Sequence, residues 1–112
     1  MNQPLVVGSR IVELDKDGFL VNLADWSEPV AHALGAVEGI EVGPAHMEVI
    51  AAVRRFYDCY QLSPAMRPLV KFVGQELGAD KGSSLYLMKL FPGSPAKLVS
   101  KLAGLPKPDN CL

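Results

Sequence analysis

Prolines at the starts of successive apolar stretches divide this chain into short helical segments. Proline fits the first turn of a helix, where its missing N–H costs no hydrogen bond, but it disrupts a helix interior. A serine that can cap the helix precedes three of these prolines. The four sites are Ser27-Glu28-Pro29, Gly43-Pro44, Ser63-Pro64 and Ser94-Pro95. Their spacing predicts several separate helices rather than one long one.

The longest predicted helix covers residues 44–61. Its apolar residues recur at intervals of three and four, which is the pattern of a helix with one buried face. They are Met47, Val49, Ile50, Val53, Phe56, Tyr57 and Tyr60. A second helix follows over residues 64–77, with Ser63 as its cap. Three more are predicted: from Ser27 to Gly35 or Gly39, over residues 85–91 behind Ser83 or Ser84, and from Pro95 through Leu102.

The N-terminal part carries β-strand signals instead. The short apolar runs at residues 5–7 and 10–14 are separated by Gly8-Ser9, and a second turn over residues 15–18 leads into Phe19-Leu20-Val21. We therefore predict an α+β, mostly helical fold, in which a small antiparallel three-stranded meander packs on about five helices. At 112 residues the chain is expected to form a single domain, residues 1–112.

Residues 104–112 cannot form regular secondary structure. Gly104 is a natural helix stop, and Pro106 and Pro108 each fix φ and remove a donor. We predict a flexible arm here, with Cys111 near its tip. A cysteine placed where chain ends fray is suited to being presented to another protein. The other cysteine, Cys59, lies on the predicted 44–61 helix, off the middle of its apolar face.

The composition excludes several classes of function. No apolar run is long enough to span a bilayer, and no export signal is recognisable, so a cytoplasmic location is expected. His32 and His46 fall on different predicted helices without ligand partners at suitable spacing, and we predict no metal or cofactor. The net charge is −1, but residues 1–53 carry −6 and residues 54–112 carry +5. This asymmetry would either steer a partner toward the C-terminal half or hold the two halves together.

The two helices at 44–61 and 64–77 also resemble a helix-turn-helix, which leaves DNA binding as an alternative. Arg54 and Arg55 lie on the first helix, and Arg67 and Lys71 on the second. Pro68, the negative net charge and the lack of a base-reading Asn or Gln near the start of the second helix weigh against this reading.

Several stretches closely resemble the DsrC/TusE family over nearly the whole chain. The C-terminal run AGLPKPDNCL is the most specific of them. The others are KGSSLYLMKLFPGSPAK at residues 81–97, DGFL at 17–20, DWSEP at 25–29, FY at 56–57 and SPAMR at 63–67. Within this family, DsrC proteins that work with sulfite reductase carry a second cysteine where this chain has Ser100. The single-cysteine pattern resembles the TusE branch.

The resemblance implies a sulfurtransferase that acts as a sulfur relay. Cys111 would accept a persulfide sulfur from an upstream TusBCD-like complex and pass it to an MnmA-like tRNA thiolase, for 2-thiouridine formation at the tRNA wobble position. Contact with tRNA would be indirect, no membrane would be involved, and the protein alone would be a monomer. Lys107 and Arg67 match positions shared in the family and are candidates for docking the arm or a partner. The alternative is a DsrC-like docking or regulatory protein of sulfur metabolism.

Overall fold

The computed structural model describes residues 3–109, which form two strands and five α-helices. The strands are β1 (Gln3–Val7) and β2 (Arg10–Leu14), followed by a 3₁₀ turn at Leu23–Asp25. The helices are α1 (Glu28–Val37), α2 (Pro44–Tyr60), α3 (Met66–Leu77), α4 (Ser84–Leu90) and α5 (Pro95–Leu102). The predicted α+β, mostly helical class is confirmed. No helix in residues 3–109 has the length and apolar character needed to cross a membrane.

β1 and β2 form an antiparallel hairpin with Leu5 opposite Val12, and Gly8 supplies the positive φ of its turn. The predicted third strand is reduced to one bridge, between Leu14 and Leu20. Two hydrogen bonds to the Asp15 carboxylate, from the N–H groups of residues 17 and 19, hold the turn that precedes it. The 3₁₀ turn then begins behind Asn22, so extended pairing has no room to continue.

The helix starts follow the proline pattern with one exception. Ser27 caps α1 by accepting a hydrogen bond from the Val30 N–H, and Ser83 caps α4 through the Tyr86 N–H. The prediction that Ser63 caps a helix starting at Pro64 is wrong. α3 begins at Met66 with Ala65 at its N-cap, and the Ser63 hydroxyl instead donates a hydrogen bond to the Pro106 carbonyl.

α5 lies at the centre of the helical layer and packs against α1, α2, α3 and α4. Its Val99 and Leu102 are completely buried. They join a core formed chiefly by fully buried side chains from the other helices. These include Val30, Leu34, Val49, Ile50, Val53, Leu69, Val73, Leu87 and Phe91. Because α5 ends inside this core, the segment that follows it emerges from within the body of the protein.

Candidate functional site: the segment that leads to Cys111

The segment after α5 is packed on the body rather than projecting from it at once. Ala103, Gly104, Leu105 and Pro108 are buried, and Leu105 is only 3% exposed. The N–H groups of Gly104 and Leu105 donate to carbonyls of α5, which turns the chain back over the helix. The predicted arm therefore contacts the body from 104 to 108. Its flexibility stays a prediction, and Cys111 lies outside the described residues.

Trp26 and Arg54 hold the beginning of this segment. The indole N–H of Trp26 donates to the Leu102 carbonyl at 2.9 Å, and Arg54 Nη1 donates to the Ala103 carbonyl at 2.6 Å. The guanidinium carbon of Arg54 also lies 3.9 Å from the centroid of the Trp26 ring, in a cation–π arrangement. Two side chains from distant parts of the sequence thus satisfy the last carbonyls of α5, which have no partner within the helix.

Gly104 allows this close approach. Its φ is +72°, a conformation that favours glycine, and a Cβ built at this position would lie 2.7 Å from Cγ of Trp26. A larger residue would have to displace either the backbone or the indole ring. The glycine that the sequence presents as a helix stop therefore also makes room for Trp26.

A third contact lies two residues further along. The hydroxyl of Ser63, in the connection between α2 and α3, donates to the Pro106 carbonyl at 2.5 Å. Proline cannot donate a backbone hydrogen bond, so its carbonyl is the only polar backbone group through which this residue can be held. We call Trp26, Arg54 and Ser63 the arm anchor.

Lys107 and Arg67, the predicted docking residues, are both exposed. The Lys107 ammonium lies 4.0 Å from a carboxylate oxygen of Asp17, and both side chains are well solvated, so this pair contributes little to stability. Arg67 has no carboxylate within 4.0 Å in residues 3–109, and it makes no described hydrogen bond to the segment. Their roles as docking residues stay predictions.

Ser100 is the residue that the family resemblance predicts at the position of the second thiol of two-cysteine relatives. It is completely buried in α5, and its hydroxyl has no hydrogen-bond partner in residues 3–109. Cys59 is exposed on α2. A serine hydroxyl cannot take part in thiol exchange. Among residues 3–109, Cys59 is the only residue that carries a thiol.

No group of three or more His, Cys, Asp and Glu side chains within residues 3–109 is arranged to hold a metal ion. His46 serves a structural purpose: its Nδ1 accepts from the Gly43 N–H at the start of α2, and its Nε2 lies 3.0 Å from the Leu90 carbonyl. It therefore joins the start of α2 to the end of α4. His32 is exposed on α1.

A family model described as DsrC like protein matches residues 6–112. The chain belongs to the DsrC-like family. It is 55% identical over 101 residues to the sulfurtransferase TusE homolog of Haemophilus influenzae, a match that covers 90% of this chain and 93% of the relative. It is 44% identical over 108 residues to sulfurtransferase TusE of Escherichia coli strain K12, covering 96% and 99% of the two chains. The resemblance inferred from the motifs is confirmed.

Solved structures agree with this assignment. The NMR structure of Allochromatium vinosum DsrC superposes with a TM-score of 0.90 at 40% identity, covering all of both chains. The oxidized gamma-subunit of the dissimilatory sulfite reductase (DsrC) of Archaeoglobus fulgidus gives 0.83 at 36% identity, covering 98% and 100%. The fold is thus shared across the family. The TusE relatives support a sulfurtransferase with a sulfur-relay carrier role. The DsrC structures, at lower identity, support the alternative less strongly.

The arm anchor is not predictable from the sequence motifs. Trp26 lies in a quoted family motif, but nothing local shows that its indole N–H reaches a residue 76 positions later. The sequence patterns place Arg54 on a possible helix-turn-helix surface, and they present Ser63 as a helix cap and as part of the family motif SPAMR. One signal is Trp26 itself, the only tryptophan in the sequence, because an indole that packs even partly against a core usually finds an acceptor for its N–H.

Proposed function

We propose that this protein carries sulfur as a persulfide on Cys111 and is a single-cysteine relay component of the TusE kind. The observation that carries the proposal is the pairing of Cys111, in the family's C-terminal sequence, with a buried Ser100 where a second exchanging thiol would stand. A dithiol cycle within the chain needs two thiols in reach of each other. A relay that hands on one sulfur needs one.

The transfer step is thiol–persulfide exchange. The Cys111 thiol loses its proton, and the thiolate attacks the outer sulfur of a donor persulfide. The donor S–S bond breaks, the donor leaves as a thiolate that takes up a proton, and Cys111 becomes the persulfide. A thiolate on the acceptor then attacks the outer sulfur of Cys111 in the same way. Each exchange leaves the number of S–S bonds unchanged, so no external oxidant or reductant is required.

The partners we propose are a TusBCD-like donor complex and an MnmA-like thiolase that holds the tRNA. A carrier of this size with a single thiol in its arm is suited to visiting two proteins in turn, and contact with tRNA would be indirect. The protein would act in the cytoplasm as a monomer and without a cofactor.

DNA binding through α2 and α3 is less well supported. Two of the four basic side chains that favoured it are engaged within the protein: Arg54 donates to the Ala103 carbonyl, and Arg55 pairs with Glu76 at 2.7 Å. Docking on a sulfite reductase is the second candidate, favoured by the likeness to the Archaeoglobus fulgidus gamma-subunit. Binding to a purified dissimilatory sulfite reductase, in the absence of transfer to tRNA, would favour it.

Reconstituted tRNA thiolation tests the proposal. A cysteine desulfurase, cysteine, a TusBCD-like complex, this protein, an MnmA-like thiolase, ATP and tRNA are incubated, and 2-thiouridine is measured in the digested tRNA by mass spectrometry. We expect thiolation to depend on the protein and to be lost in Cys111→Ser. Cys59→Ser is the matched control and should retain it. Full thiolation with Cys111→Ser would contradict the proposal.

A further inference from the structure

We propose that Arg54, with Ser63 and Trp26, positions the sulfur-carrying thiol by holding the segment on the body as far as Pro108, so that the arm departs there instead of at the core residue Leu105. The inference rests on the proposed carrier function of Cys111, and it assigns a transfer-related role to residues that lie far from the cysteine in sequence. Arg54 is a positioning residue in this account and touches no reacting atom.

Three independent elements converge on one short stretch of backbone. Trp26 precedes α1, Arg54 lies on α2, and Ser63 lies in the connection to α3. Their side chains donate to three different carbonyls within five residues, those of Leu102, Ala103 and Pro106. Hydrogen bonds from three elements restrict the backbone of residues 102–106 to few positions. A single hydrogen bond would still let this stretch rotate about the contact.

Arg54 is the central member of the anchor. Its guanidinium both donates to the Ala103 carbonyl and covers the Trp26 ring, so it couples two of the three donors. Burial lowers the pKa of this guanidinium from its ordinary value, and nearby Asp58 acts in the opposite direction. A partly desolvated charged donor makes a stronger hydrogen bond than a neutral one. A strong hydrogen bond from the Arg54 guanidinium to the Ala103 carbonyl would help to hold the start of the arm in one position.

The anchor shortens the tether between the body of the protein and Cys111. Cys111 lies three residues after Pro108, the last buried position in residues 3–109, at a contour of about 10 Å. Counted instead from Leu105, whose side chain stays in the core, the tether has six residues and a contour of about 20 Å. The effective concentration of a tethered group falls roughly as the −3/2 power of tether length. Losing the anchor should therefore lower the effective concentration of the thiol at a docked partner by about two- to threefold.

The test compares Arg54→Met with Arg55→Met in the full chain. Both variants remove one arginine from the same helix, but Arg55 pairs with Glu76 and makes no described contact with the arm. In a Cys59→Ser background a nitroxide is attached to Cys111, and its mobility is measured by continuous-wave EPR without any partner. The nitroxide should move faster in Arg54→Met than in Arg55→Met, which should match the parent protein.

Transfer kinetics supply a second measurement, on unlabelled protein loaded with persulfide and with a purified MnmA-like thiolase as the varied acceptor. We expect the double variant Arg54→Met/Ser63→Ala to lower kcat about two- to threefold with KM for the thiolase little changed, because docking is unaffected and only the transfer step within the complex slows. Arg54→Lys keeps a charged donor at this position. It should therefore transfer sulfur faster than Arg54→Met, although more slowly than the parent protein. Ser63→Ala serves as the milder variant if Arg54→Met folds poorly, as judged by circular dichroism.

Equal nitroxide mobility in Arg54→Met, Ser63→Ala and Arg55→Met would overturn the proposal, even if the protein transfers sulfur normally. Failure of the carrier function has a different signature. In that case the parent protein transfers no sulfur, while the EPR difference between Arg54→Met and Arg55→Met persists.

Discussion

Individual residues show where local sequence patterns stop being informative. Ser63 and Ser94 both precede a proline, and both are predicted helix caps. α5 does begin at Pro95 with Ser94 at its N-cap, but α3 begins three residues after Ser63. Ser63 makes a contact 43 residues away instead, where its hydroxyl donates to the Pro106 carbonyl. A pattern of nearest neighbours contains no information on such a contact.

Ser63 and Ser100 form a matched pair for a stability test. Ser63→Ala should lower the free energy of unfolding by about 1 kcal/mol, because it removes the hydrogen bond to the Pro106 carbonyl. Ser100→Ala should leave stability unchanged or raise it by up to about 1 kcal/mol, because its buried hydroxyl has no partner in residues 3–109. Urea titration followed by circular dichroism measures both. A larger loss in Ser100→Ala than in Ser63→Ala would contradict the assignment of these two hydroxyls.

The helices were largely predictable because their determinants are local. Proline positions, the Ser27 and Ser83 caps and the apolar period of α2 all lie within one or two turns of the residues they govern. The third strand was not predictable to the same degree. Residues 19–21 are apolar and suited to a strand, but Asn22 begins a 3₁₀ turn directly after them. Competition between a short strand and an adjacent cap is decided by tertiary packing.

The start of α3 offers a test at the scale of one element. Its N-cap residue, Ala65, has extended backbone geometry but no side-chain acceptor for the free N–H groups of the first turn. Ala65→Ser should therefore stabilise the protein by about 0.5–1 kcal/mol, seen as a higher urea midpoint at unchanged m-value. Ala51→Ser, at an exposed position inside α2, is the control and should be slightly destabilising. A loss of stability in Ala65→Ser would mean that the start of α3 is fixed by something other than its cap.

At the scale of the whole molecule, the fold class and family followed from the sequence, but the seating of the arm did not. The fold class needs only the order of strand and helix signals. The arm anchor depends on Trp26, Arg54 and Ser63 meeting a segment more than 40 residues further along the chain. Gly104 and the two prolines indicate irregular structure correctly, but irregular backbone can be packed as firmly as a helix. Here residues 103–105 complete the core.

Leu105 tests whether the segment after α5 is part of that core. It is almost fully buried, so Leu105→Ala should destabilise the protein by about 2–4 kcal/mol through lost burial and a residual cavity. Lys107→Ala, two residues further on at an exposed position, should change stability by less than about 0.5 kcal/mol. Thermal or urea unfolding distinguishes the two. Similar small effects for both would mean that the body folds independently of this segment.

The central claim is that Cys111 is the sulfur-accepting group, and intact-mass spectrometry tests it most directly. The protein is incubated with a cysteine desulfurase, cysteine and a TusBCD-like complex, and then analysed whole and by peptide mapping. The account predicts a gain of one sulfur on Cys111, present in Cys59→Ser and absent in Cys111→Ser. No gain at Cys111 while its thiol remains free to be alkylated, or a gain on Cys59 instead, would contradict it.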